Sequence, residues 1–207
     1  MAVTVQNRVT SGTFSLDGGT WDVDNNVWIV GDEQECVIID APHDAQAIIE
    51  QVQGRKVLAI LLTHAHNDHI GAVREVADAV QAPIYLHPED LVLWEQVYPD
   101  TTPDKYLSDG DVFTVAGAEL RAIHTPGHSP GSTCFLLEEQ DTVFTGDTLF
   151  NGGPGATGRS YSDYPTILTS IRERLLTLPA HTVVRTGHGD NTTIGAERGT
   201  LALLKQD

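Results

Sequence analysis

Six consecutive residues, His64-Ala65-His66-Asn67-Asp68-His69, present three imidazoles and a carboxylate from one short turn. Imidazole nitrogen and carboxylate oxygen bind divalent transition metals at about 2.0 to 2.2 Å, so such a turn can fill much of two coordination spheres. The competing use of these residue types is helix capping, for which Thr63 or Asp68 would serve. The rest of the chain argues for metal. His128 lies in Thr125-Pro126-Gly127-His128-Ser129-Pro130-Gly131, Asp147 in Phe144-Thr145-Gly146-Asp147-Thr148 and His188 in Thr186-Gly187-His188-Gly189. Each follows a run rich in β-branched or apolar residues, at 120–123, 142–145 and 182–185, that reads as a strand. Ligand-type residues at several strand ends are a way to assemble one site from distant parts of a chain.

In this order, the His-x-His-x-Asp-His turn, the Pro-Gly-His, the Gly-Asp and the Gly-His resemble the motifs of the metallo-β-lactamase superfamily, and the likeness spans nearly the whole chain. The resemblance implies that His64, His66 and His128 hold a first metal and Asp68, His69 and His188 a second. Asp147 would lie between them, with a hydroxide completing the bridge. Asp147 looks like the bridging acid of binuclear hydrolases of the glyoxalase II type, an acid that true β-lactamases usually lack. Asp40, after the apolar run 37–39, matches an acid that supports the metal turn from behind its ligands. The implied chemistry is direct: metal cations lower the pKa of water from about 15.7 towards about 7, and they polarise a carbonyl and stabilise its oxyanion. Asp68 and Asp147 are the candidate catalytic carboxylates, Asp68 as a ligand rather than a separate base. No thiolate stands among the ligands, so softness does not select the metal; two divalent ions are expected, zinc before iron or manganese.

The runs Gly146-Asp147-Thr148-Leu149-Phe150 and Pro126-Gly127-His128-Ser129-Pro130-Gly131 are most similar to glyoxalase II and its single-domain relatives. That likeness implies hydrolysis of a small-molecule thioester, an acyl group on a low-molecular-weight thiol. Full-length glyoxalase II carries a further helical domain with glutathione contacts, whereas 19 residues follow His188 here. Mycothiol, bacillithiol and coenzyme A therefore stand beside glutathione as carriers. Two other reactions belong to similar proteins: persulfide oxidation at a single iron held by two His and an Asp, and lactone or phosphodiester hydrolysis. A non-catalytic metal-binding module would be expected to have lost ligands, and none of the seven is missing. Specificity is expected from the glycine-rich stretch 150–159, where Arg159 could pair with a carboxylate and Tyr161 and Tyr164 could line the same pocket. His43, His87 and His181 read as ordinary surface or core histidines, though His87 ends a strand and could reach a pocket rim, and His124 reads as structural or as a support behind the ligands.

The formal charge is −17, from 29 acidic against 12 basic residues spread along the chain. Binding to a phosphate backbone is driven by Lys and Arg. Nucleic-acid partners, and with them the RNA-cleaving members of the family, are not expected. No apolar stretch approaches the roughly 18 residues of a membrane span. Residues 1–10 lack a basic start, an apolar core and a small-residue cleavage site, so a cytoplasmic protein is expected. Cys36 and Cys134 sit in apolar strand-like stretches and read as buried free thiols.

The elements that must hold these ligands alternate between strand and helix. Strands are predicted at 27–30 and 36–39 as a hairpin, then at 57–62, 84–86, 111–115, 120–123, 132–137, 142–145 and 182–185. Helices are predicted at 45–52, 70–80, 89–96 and 194–204, and after Pro165, where Ile167, Leu168, Ile171, Leu175 and Leu176 share one face. With 207 residues and 40% hydrophobic content this is one α/β domain over 1–207. The resemblance supplies the finer topology, a four-layer αββα sandwich whose two halves meet at the metal edge.

Overall fold

The computed structural model describes residues 2–203 and begins with a long antiparallel hairpin, β1 (Thr4–Leu16) and β2 (Gly19–Gly31). The expected hairpin at 27–30 and 36–39 is therefore the second of two, because β2 also pairs antiparallel with β3 (Glu35–Ile39). After β3 come α1 (Ala45–Val52), β4 (Lys56–Leu61), α2 (Asn67–Ile70), α3 (Val73–Val80), β5 (Ile84–Leu86), α4 (Leu91–Val97) and β6 (Lys105–Tyr106). These give a six-stranded sheet in the order β1-β2-β3-β4-β5-β6.

The second half repeats the plan. A meander of β7 (Val112–Val115), β8 (Ala118–His124), β9 (Thr133–Leu137) and β10 (Thr142–Gly146) is followed by the small pair β11 (Leu149–Phe150) and β12 (Gly153–Pro154). Then come α5 (Tyr164–Ser170), β13 (Val183–Thr186), β14 (Thr192–Thr193) and α6 (Ile194–Leu203). The second six-stranded sheet runs β14-β13-β10-β9-β8-β7, with β13 parallel to β10.

Alternation along the inner strands separates the layers. In β3, Cys36 and Ile38 pack with Ile48 of α1, Val76 of α3 and Trp94 of α4, while Val37 and Ile39 point the other way. Those two meet Leu120, Phe135 and Phe144 of the second sheet. The outer face of that sheet, Cys134, Val143 and Val184, is covered by Ile167, Ile171, Leu175 and Ile194. Side chains two apart share a face of a strand, so strands that are apolar throughout must be covered on both sides. The result is helix, sheet, sheet, helix, as expected. Cys36 and Cys134 are buried thiols, both pushed up to about 11 by burial.

Three expected elements differ. The single helix at 70–80 is broken at Gly71 and Ala72, because the Ala72 N–H donates to Ala41 O and the Ala41 N–H to His69 O. Backbone groups that would continue the helix are thereby spent on the loop after β3. The helix at 89–96 starts as a 3₁₀ turn at Pro88–Asp90. After Pro165, α5 runs on as a π-turn at Ile171–Leu175, capped at its start by Asp163, whose side chain accepts from Thr166 N. Residue 204 of the expected last helix lies outside the described residues. Among those residues, no helix is long and apolar enough to cross a membrane.

Candidate metal centre

All seven ligand-type residues converge where the two sheets meet. The turn between β4 and α2 supplies His64, His66, Asp68 and His69, the loop between β8 and β9 supplies His128, and the ends of β10 and β13 supply Asp147 and His188. His66 Nδ1 lies 3.1 Å from His64 Nε2 and 3.0 Å from His128 Nε2. A second group brings His188 Nε2 within 3.3 Å of both His69 Nε2 and Asp68 Oδ2. Asp147 faces both groups: Oδ1 is 3.2 Å from His69 Nε2, and Oδ2 is 3.4 Å from His188 Nε2 and 3.6 Å from His128 Nε2.

The outer nitrogens are anchored to the protein. His69 Nδ1 meets Asp40 Oδ2 at 2.8 Å, His128 Nδ1 meets Ala156 O at 2.9 Å and His188 Nδ1 meets Asp24 O at 2.8 Å. A ring that donates from Nδ1 keeps its Nε2 lone pair for the centre. Asp40 also accepts from Thr63 N and Thr63 Oγ1, both at 2.7 Å, and so fixes the first residue of the turn. Gly187 is required by space, since a Cβ there would sit 2.2 Å from Asp147 Oδ1.

These residues fit a pair of cations. Asp147 Oδ1, which faces His69 Nε2, is buried with no hydrogen-bond partner among the described residues, and buried polar atoms are ordinarily satisfied. Asp147 Oδ1 approaches His69 Nε2 out of line for a hydrogen bond. Nitrogen and oxygen donors without a thiolate suit zinc, iron or manganese.

The two groups differ in their protons. Burial holds His64 well below the ordinary imidazole range and His66 at about 3, so both keep their lone pairs open at neutral pH. Burial, the largest single influence, acts the same way on His69 and His188, but the carboxylates around them together outweigh it, Asp147 first, then Asp68 and, for His69, Asp40, raising His69 well above its ordinary value and His188 to about 10. The sign follows: below about pH 10 the metal-free chain carries protons on the second group that a cation must expel. Affinity for one ion should therefore climb about tenfold per pH unit for each proton released, between pH 7 and 10, while the other ion binds with little pH dependence. Calorimetric titration in buffers of different ionisation enthalpy counts those protons; equal counts for the two ions would contradict the assignment.

Several residues around the centre carried no recognised sequence signal. Asp90, fully buried, accepts from Ala65 N at 2.9 Å, Ser129 Oγ at 2.9 Å and Gly131 N at 2.5 Å. It ties the first metal turn to the His128 loop. Asn26 does the same for His188: its side chain donates to Thr186 O and Gly189 O, and its backbone N–H to Gly187 O. Asn25 faces the second group, and His43 Nε2 lies 2.7 Å from Asn25 Oδ1.

Of the expected substrate contacts, Arg159 is linked to the ligands through aromatic rings. Its guanidinium lies 3.8 Å over the Trp21 ring and 5.5 Å from that of Phe14, and the Phe14 ring is 5.1 Å from the His66 ring. The loop is tied to the first hairpin by Ser160 N, which donates to Asp17 Oδ2. Tyr161 and Tyr164 are exposed, and no recorded hydrogen bond or ring contact joins either to the ligands. His87 stacks on His124 at 4.0 Å, and His181 pairs with Asp141 at the surface.

Residues 20–188 match the metallo-beta-lactamase superfamily. The chain is 37% identical to the probable metallo-hydrolase YqgX of Bacillus subtilis and 32% identical to the hydroxyacylglutathione hydrolase GloC of Haemophilus influenzae, each over 84% of this chain and 89% of the relative. Among solved structures it resembles BLEG-1 B3 metallo-beta-lactamase, with a TM-score of 0.78 and 32% identity over 92% of this chain and 97% of that one. TTHA1623 in a di-iron-bound form gives a TM-score of 0.75 and 34% identity over 92% and 98%. With the fold, the ordered motifs and the converging ligands in agreement, the chain belongs to the metallo-beta-lactamase superfamily of metal-dependent hydrolases.

Proposed function

We propose that this protein is a binuclear thioesterase that hydrolyses an acyl thioester of a low-molecular-weight thiol. The observation that carries the reading is Asp147, one buried carboxylate whose two oxygens face both ligand groups. His64, His66 and His128 would hold one ion, and Asp68, His69 and His188 the other. When bound, the ions supply a water of lowered pKa and an electrophile for the carbonyl. The chain's own residues do the rest. Asp40, Ala156 O and Asp24 O keep His69, His128 and His188 aimed inward. Phe14 and Trp21 form an apolar wall beside His66, and Arg159 on that wall offers a guanidinium to a carboxylate of the thiol carrier. A thiolate leaves readily without protonation, which agrees with the lack of a separate acid among the residues gathered here.

Likeness to GloC supports the thioester, and likeness to a di-iron-bound protein keeps iron beside zinc and manganese. The test is thiol release from acyl thioesters of glutathione, coenzyme A, bacillithiol and mycothiol, with the chain reconstituted separately with each metal. Turnover that depends on metal and prefers one carrier is expected. Silence across the fully loaded panel would overturn the reading, and oxygen uptake with a persulfide would replace it.

A further inference from the structure

Asn25 stands in the second ligand group as a ligand would. Its inward carboxamide atom, placed as Nδ2, lies 3.2 Å from Asp68 Oδ2, 3.3 Å from His69 Nε2 and 3.3 Å from His188 Nε2. Those three atoms are themselves 3.3, 3.3 and 3.7 Å apart. Six nearly equal edges make a near-regular tetrahedron, whose centre lies about 2.0 Å from every corner, the distance at which zinc binds nitrogen and oxygen. A hydrogen-bonding role explains this poorly. An NH₂ group has two hydrogens, and here three nitrogen or oxygen atoms stand around it at almost one distance.

The amide's two ends differ by a half-turn that leaves the heavy-atom positions unchanged. With Oδ1 inward, a lone pair faces the centre and Nδ2 turns to His43 Nε2, now 2.7 Å from the outer atom. A neutral imidazole can accept there as well as donate. Asn25 is fully buried in β2, in the strand that Asn26 fastens to the His188 loop, so the amide is held in place before any ion arrives.

We propose that Asn25 is a protein ligand of the second metal ion, binding through its carboxamide oxygen with His43 holding the amide in that orientation. The assignment rests on the two-ion reading. It adds a neutral oxygen to a sphere otherwise made of Asp68, His69, His188 and the shared Asp147, and it is a role that no ligand motif in the chain announces.

The test is metal binding, without substrate. Metal-free wild type, Asn25→Ala and Asn25→Asp are titrated with zinc against a chromophoric chelator, stoichiometry is measured by elemental analysis, and cobalt substitution reports the ligand field. The wild type should take two equivalents. Asn25→Ala should keep the first with unchanged affinity and bind the second on the order of 100-fold more weakly. Asn25→Asp, which returns an oxygen ligand, should hold the second at least as tightly as wild type. A donor role predicts the reverse, since a third carboxylate beside Asp68 and Asp147 would then be worse than alanine. Both variants matching wild type, or Asn25→Asp binding more weakly than wild type, overturns the assignment while leaving two ions in place. One equivalent in the wild type would instead overturn the two-ion reading, and the assignment with it. Should the alanine variant fail to fold, weaker binding of the second equivalent by Asn25→Asp than by wild type still overturns the assignment.

Discussion

Asp147→Asn is expected to lower kcat/KM for the preferred thioester by about 10³-fold or more, close to 4 kcal/mol of transition-state stabilisation. The substitution keeps the volume and one oxygen but removes the charge, at a residue whose two oxygens face both ligand groups. An amide N–H in place of the second oxygen would point at His69 or at His188 and His128. The same change should weaken the attraction that holds His69 and His188 protonated in the metal-free chain, leaving Asp68 and, for His69, Asp40. Proton release on metal uptake should fall with it. Far-UV circular dichroism should stay unchanged, because Asp147 is carried by a glycine-flanked strand end rather than packed into a core cluster. A variant that keeps its metal and runs within tenfold of wild type would show that Asp147 is not the shared ligand.

The second large effect is expected at a residue that touches no ligand-group atom. Asp90→Ala strands three donors, Ala65 N, Ser129 Oγ and Gly131 N, in a place closed to water. Each buried donor left without a partner costs about 1 to 3 kcal/mol, so a total loss of about 3 kcal/mol or more is expected. In a chain of this size that lowers Tm by about 10 °C. Burial already pushes the Asp90 carboxyl above its usual range, against the pull of its three donors, so the site holds this acid at a cost and for its geometry. The bonds it makes join the His64 to His66 turn to the His128 loop, and the first ion should therefore bind about 10- to 100-fold more weakly. Calorimetry of the metal-free protein separates the two effects: a Tm within about 2 °C of wild type would remove Asp90 from the framework.

The ligands were legible because they come with local grammar: ligand-type side chains just past a strand, four of them in one turn and three directly after Gly127, Gly146 and Gly187. The inner strands were legible because covering both faces leaves nearly unbroken apolar runs. The first hairpin was not, because β1 alternates between exposed and half-buried positions with mostly polar residues, leaving no apolar period to find. Its turn did carry a signal. Asp17 and Gly18 sit at φ of 53° and 78°, the paired left-handed conformation that makes Asp-Gly a hairpin turn. Nothing local singles out Asp90, at the start of the helix at 89–96, or Asn25 and Asn26, just before the strand at 27–30. Their partners lie far away in sequence, 25 to 41 residues for Asp90 and 18 to 163 for Asn25, and local pattern does not reach so far.

The separation of the ligands along the chain bears on how this protein is made. His66 and His128 are 62 positions apart, and His69 and His188 are 119 apart, so each ligand group draws on both sheets. Neither half can offer a complete set before the other has formed and docked. Contacts of such long range form late and slowly in folding. Two ions held as proposed would therefore bind the finished fold in preference to its precursors, and by mass action would pull the last docking step to completion. Metal occupancy in this chain doubles as a record of assembly: a molecule with both groups filled has, by that fact, brought its two halves together.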